Sequence, residues 1–202
     1  MIADIIKSGG YKFNEYLLVL NPHEDLCNKI IKVKQDFAER YKINPPFFSK
    51  SYIALVKFTQ LQLAEERIVN NLKSIATAYN PFKVALKNFD SYPSHSIFIN
   101  IESKQQVKNL IKEIKVLQRF MRLDNDNPPH FMDNPNITIA QKLKPWQYEK
   151  AWMEYSNKNF TAVFIADAML LLKRQVTEKK YQIVNRLEFQ NLQVTSKQGE
   201  LF

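Results

Sequence analysis

The sequence has one cysteine, Cys27, among 202 residues. A lone cysteine cannot close an internal disulfide or fill a Cys-rich zinc site, so stability must come from an apolar core, for which the length suffices. Histidine is nearly as scarce. His23, His95 and His130 are the full set, and none has a His, Cys or carboxylate neighbour at metal-ligand spacing. No metal and no cofactor is expected. Acids fall short of bases, 20 against 29, which leaves a net charge of +9. That balance favours nucleic-acid or nucleotide partners. No apolar run approaches a membrane span, and Met1 to Lys12 lack an apolar stretch with a cleavage site. A phosphate-binding loop, a dinucleotide fingerprint and a Ser-His-Asp signature are missing too. The expectation is a cytoplasmic protein with no membrane partner; protein partners stay open.

Apolar residues make up 45% and aromatics 12%, which is globular rather than disordered composition. Tyr16 to Leu20 reads as a buried strand, with Asn21 as the cap and Pro22 as the first position of a helix. Leu26, Ile30, Val33 and Phe37 then mark one helix face to about Tyr41. Asn44-Pro45-Pro46 breaks it. A strand at Tyr52 to Phe58 precedes a helix marked by Ile68, Leu72 and Ile75. The alternation over Phe82 to Asp90, a turn at Ser91 to Ser94 and a strand at Ser96 to Ile101 form a hairpin. The longest helix is expected over Ser103 to Arg122. A polar loop, Asp124 to Asn134, leads to a strand at Asn136 to Ala140 and a helix at Pro145 to Tyr155. Phe160 to Arg174 and Tyr181 to Phe189 read as two closing strands. This mixed order predicts an α+β fold with antiparallel sheets: residues 1–190 as a single domain of two lobes and 191–202 as a loose polar tail.

The chain also echoes itself. Asn-Pro-Pro opens at positions 44 and 127, each time after a long helix and before a strand that leads into another helix. Two similar lobes follow from that separation. Alternate strand residues share a face, which pairs Tyr52 with Ala54 and Asn136 with Thr138. Lobes related by a pseudo-twofold axis would set these pairs across a central cleft. Packing on a neighbouring strand competes with a cleft role for Tyr52, and local backbone bonding competes for Asn136 and Thr138.

Here the chain resembles a family. Lys50-Ser51-Tyr52-Ile53-Ala54-Leu55 stands where the 2H phosphoesterases, which include bacterial 2′-5′ RNA ligases and cyclic phosphodiesterases, carry a first His-x-Thr motif. Asn134-Pro135-Asn136-Ile137-Thr138-Ile139-Ala140 resembles the second. The likeness runs from Tyr16 to Phe189, through Asn88 to Pro93 and Leu171-Leu172-Lys173-Arg174. It implies two pseudo-symmetric lobes with antiparallel sheets around a cleft and helices outside. In the family one His is the base and the other the acid, and the hydroxyl residues hold phosphate. Here Tyr52 and Asn136 stand at the histidine positions, Ala54 offers no hydroxyl, and Thr138 keeps the family residue. Asn136 does not titrate, and a tyrosine at about pKa 10 is a poor base at neutral pH. The resemblance therefore implies a degenerate member that binds RNA or nucleotide phosphate through Thr138, Asn136 and Lys142 with little or no catalysis. The alternatives are a working phosphodiesterase that uses Tyr52, His130 or Lys142, and a protein-interaction scaffold. His130, in the loop before the second motif, is the best displaced imidazole.

Lys104, Lys108, Lys112, Lys115, Arg119 and Arg122 form a stripe about 80° wide on the expected long helix. With the helices outside the sheets, it reads as a solvated face; an RNA-backbone track is the functional alternative.

Overall fold

A computed structural model describes residues 12–43, 51–178 and 180–192. Both Asn44-Pro45-Pro46 and residues 193–202 of the expected tail lie outside the described residues. Asn191 and Leu192, where that tail was to begin, donate their backbone N–H groups to the Tyr79 and Thr77 carbonyls.

Among the described residues, nine strands form two antiparallel sheets. Sheet A is ordered β5-β2-β1-β8-β9, from β5 (His130–Phe131), β2 (Ile53–Leu61), β1 (Phe13–Leu20), β8 (Ala168–Gln175) and β9 (Gln182–Glu188). Sheet B is ordered β6-β4-β3-β7, from β6 (Ile137–Gln141), β4 (Ser96–Ile101), β3 (Phe82–Tyr92) and β7 (Thr161–Ala166). Five helices accompany them: α1 (Glu24–Arg40), α2 (Glu65–Ala78), α3 (Lys104–Lys115), α4 (Gln118–Met121) and α5 (Pro145–Tyr155). Helix α1 packs on β6 and α5 on β4, while α2 packs on β8 and β9 and α3 and α4 on β2. One core joins the helix-facing sides of both sheets. Tyr16, Leu18 and Leu20 of β1 enter it beside Ile97, Ile99 and Ile101 of β4. Full burial of each such aliphatic chain stabilises by about 1.5–3 kcal/mol before entropy is counted. The expected α+β class with antiparallel sheets and outer helices is what the chain adopts.

Four local expectations are corrected. Asn21 is not the cap and Pro22 not the first helical residue, since His23 precedes α1 as N-cap without a side-chain bond. Acidic Glu24 and Asp25 in the first turn favour that start, because they face the positive end of the helix. The expected long helix breaks at Val116–Leu117 into α3 and α4, and α1 becomes the longest, at 17 residues. Leu117 and Met121 are both buried, so the break redirects the chain without losing the apolar face. Phe160 to Arg174 is not one strand. It crosses from sheet B to sheet A at Asp167, the one charged residue between two apolar runs. In the polar loop, His130 and Phe131 form β5 by pairing with Lys57 and Val56.

The β3 strand slips register between Leu86 and Phe89. Asn88 supplies the extra residue at φ 57°, a left-handed conformation that Asn tolerates. It is held by its own N–H to the Phe160 carbonyl at 2.7 Å and by the Phe160 N–H to its side-chain oxygen at 3.3 Å. The bulge lets Phe89 point into the core after Val84 and Leu86.

Candidate functional site

On sheet B, alternation does place Asn136 and Thr138 together. The Thr138 hydroxyl donates to the Asn136 side-chain oxygen at 3.3 Å. The Asn136 amide donates to the Asn134 carbonyl at 3.1 Å, and the Asn134 amide donates to the Tyr92 hydroxyl at 2.7 Å. Local backbone bonding and a presented hydroxyl therefore coexist, with Thr138 exposed. Thr138 lies opposite Phe98, whose ring packs on Tyr92 at 4.9 Å. Ser96 and Asn100 flank Phe98 on the same strand face. Among the described residues the buried Ser96 hydroxyl and Asn100 side-chain oxygen have no hydrogen-bond partner, an arrangement that normally costs about 1–3 kcal/mol per group. Lys142 sits one residue past β6 at φ 57°, exposed. Among the described residues no ion pair or hydrogen bond ties it to Asn136 or Thr138.

On sheet A the corresponding face is of another kind. Tyr52 and Ala54 pack with Leu17, Val19, Leu170, Leu172 and Tyr181 in a small cluster apart from the main core. Leu17, Val19 and Leu172 are each at most 5% exposed. Beyond this floor lies Glu15. It accepts hydrogen bonds from Arg174 Nε at 2.7 Å and from the Tyr181 hydroxyl, and it pairs with Lys57 at 2.7 Å. Burial opposes the Glu15 charge, but the Lys57, Tyr181 and Arg174 hydrogen bonds outweigh it and hold the carboxyl below its ordinary range. For Tyr52, burial pushes the phenol up; Arg174 pulls it down and Glu15 raises it further. Tyr52 is thus a neutral phenol at pH 7, packed as a strand aromatic.

The structure separates the sequence candidates into these two pairs, on two sheets. Among the described residues no hydrogen bond joins Tyr52 or Ala54 to Asn136 or Thr138. His130 is not a loop residue beside Asn136. It lies on the edge strand of sheet A, opposite Lys57 and exposed. His23 caps α1 rather than lying within its first turn, and His95 stays at the β3–β4 turn, its Nδ1 3.1 Å from the Pro93 carbonyl oxygen. Among the described residues no group of three or more His, Cys, Asp or Glu side chains is placed to hold a metal ion. Sequence reasoning missed Glu15, Lys57 and Tyr181, whose convergence depends on distant strand pairing. It also missed Ser96 and Asn100, although two polar residues alternating through SIFINI were a legible signal.

Comparison with known proteins identifies the architecture. The apo structure of E. coli LigT shares it at a TM-score of 0.64 and 9% identity, over 88% of this chain and 98% of that one. E. coli LigT complexed with 3′-AMP gives 0.61 and 10%, over 89% and 99%. TT0787 of Thermus thermophilus gives 0.59 and 10%, over 87% and 98%. These likenesses define a LigT-like fold. Residues 22–178 match the 2′-5′ RNA ligase superfamily, and the chain belongs to that superfamily. No curated protein matches by sequence. Among the described residues no helix is long and apolar enough to cross a membrane.

Proposed function

We propose that this chain is a phosphate-binding member of its superfamily that holds an RNA end or a nucleotide at the Asn136–Thr138 face and performs little or no phosphodiester chemistry. The supporting observation is the contrast between the two motif faces. The β6 face presents an exposed threonine hydroxyl bonded to an amide, and neither group changes charge near neutrality. The β2 face offers alanine and a packed neutral phenol. Donors and acceptors for a phosphate remain on one side, while a proton-transfer pair is missing from both. The net charge of +9 supplies long-range attraction for such a ligand, with Lys142 as the nearest lysine in sequence to Thr138. A LigT solved with 3′-AMP and another with NADP+ bind nucleotides on this fold, which supports the ligand class.

Calorimetric titration with a nucleoside 3′-phosphate tests the site. Thr138→Val combined with Asn136→Leu is expected to weaken binding about tenfold, the scale of losing one hydrogen bond to a charged group. Equal affinity of wild type and variant removes the site from consideration. Absence of binding by the wild type favours a scaffold role.

A further inference from the structure

Outside both motif faces lies a strongly basic surface. Lys104, Lys108, Lys112 and Lys115 fall within about 80° of the α3 circumference at 100° per residue. Lys108, Lys112, Lys115, Arg119 and Arg122 are exposed. A solvated lysine face on a helix ordinarily carries acids at i±4; this one has none. Of the two nearby acids, Glu102 is engaged by Lys87, and Glu113 lies on α3 about 100° round the helix from the nearest lysine of the stripe. Among the described residues the other ion-paired acids are Glu15, which holds Lys57 and Arg174, Glu65, which holds Lys173, Glu154, which holds Arg40 and Lys158, and Asp167 and Glu188, which share Arg186. Among the described residues no member of the stripe is in an ion pair.

Two further features give the surface direction and chemistry. At its far end Arg67 of α2 and Arg119 of α4 both lie against the Phe120 ring, at 4.4 and 4.7 Å from its centre. Guanidinium groups beside an aromatic ring offer stacking surfaces to unpaired bases. Lys115 lies 6.0 Å from the ring of Phe131 on edge strand β5, and the next residue back, His130, is exposed and paired with Lys57 on the face that carries Tyr52. The stripe therefore reaches the border of the motif face of sheet A. Its own apolar residues, Val107, Leu110, Ile111 and Ile114, are buried in the core, which leaves α3 no apolar face to insert into a lipid surface.

We infer that α3, α4 and Arg67 form an RNA-backbone track on the outside of the molecule, separate from the Asn136–Thr138 face, which takes single-stranded RNA and leads it past β5. The lysines at i, i+4 and i+8 rise about 6 Å apart along the helix, a spacing close to that of successive phosphates along a single strand. The track binds whether or not the β6 face is occupied.

The test measures anisotropy of a labelled single-stranded RNA of about 20 nucleotides, long enough to exceed a single ssRNA-binding site, with a nucleoside 3′-phosphate and phosphatidylserine vesicles run in parallel. The paired variant Lys108→Glu, Lys112→Glu is compared with Lys32→Glu, Lys150→Glu, which makes the same change in charge on α1 and α5. The stripe variant is expected to lose RNA affinity on the order of tenfold or more near physiological salt, and its log–log salt slope should shrink by about 1–1.5, at about 0.7 per phosphate contact. Nucleoside phosphate binding should stay unchanged in both variants. Equal losses from the two variants would show only the general field and overturn the track. Unchanged RNA binding by a folded stripe variant, or a loss confined to vesicles, overturns it as well. A failure of nucleoside phosphate binding with the RNA result intact would count against the β6 site alone.

Discussion

Purified protein is expected to turn over 2′,3′-cyclic nucleotides at least about 10⁴-fold more slowly than a superfamily member with both motif histidines. One positioned acid or base contributes about 10²–10⁴-fold, and here both positions are changed. Asn136 has no proton to exchange near neutrality. Burial raises Tyr52, so its phenolate forms only well into alkaline conditions. The measurement is steady-state product formation at neutral pH beside a histidine-bearing relative, with 2′-5′ joining assayed in the same preparations. Turnover within about tenfold of the relative would reject the proposed inactivity. A rate that climbed at alkaline pH and vanished in Tyr52→Phe would move the chemistry to Tyr52; loss in His130→Ala would move it to that imidazole.

The second large effect concerns Glu15. Glu15→Ala is expected to cost about 2–4 kcal/mol of unfolding free energy, because it leaves Lys57, Arg174 and Tyr181 without their shared acceptor over an apolar floor. Glu154→Ala is the contrast. Glu154 also gathers three donors, and the Arg40, Lys158 and Tyr41 hydrogen bonds hold its carboxyl down at about 2. Glu154 is more exposed than Glu15 and Arg40 more than Arg174, solvent screens the pair, and the loss should stay within about 1 kcal/mol. Urea unfolding of the two variants decides whether burial or the number of partners sets the cost; equal losses would reject the argument. The pH sign follows from the depressed Glu15 carboxyl. Its contribution is fully present above the ordinary value of 4.5 and fades as pH falls through the lower folded value. Wild type should therefore converge on the variant in acid.

Local periodicity was enough to read most elements. Leu26, Ile30 and Phe37 marked α1, and the alternation around Thr138 marked the β6 face. What escaped depended on partners far along the chain. β5 is two residues long and exists only because Lys57 and Val56 offer an open edge. Asp167, by contrast, is the single charge between two apolar runs and separates β7 from β8, a local signal that was overlooked. The Glu15 network joins side chains from β1, β2 and β8 and the segment before β9, and no spacing in the sequence announces it. Tyr52 was legible as a candidate position, but its packing on Leu17 and Val19 was not, since these come from a strand more than thirty residues earlier.

The order of strands within sheet A has a consequence for how the protein is made. β1, among the first described elements, lies between β2 and β8, and Asn14 pairs with Gln175. During synthesis, one edge of β1 must wait until β8 has emerged, directly after β7 completes the strands of sheet B. A nascent chain thus carries a half-finished sheet with an apolar, unpaired edge, a template for aggregation. Long-range pairing of this kind favours slow folding.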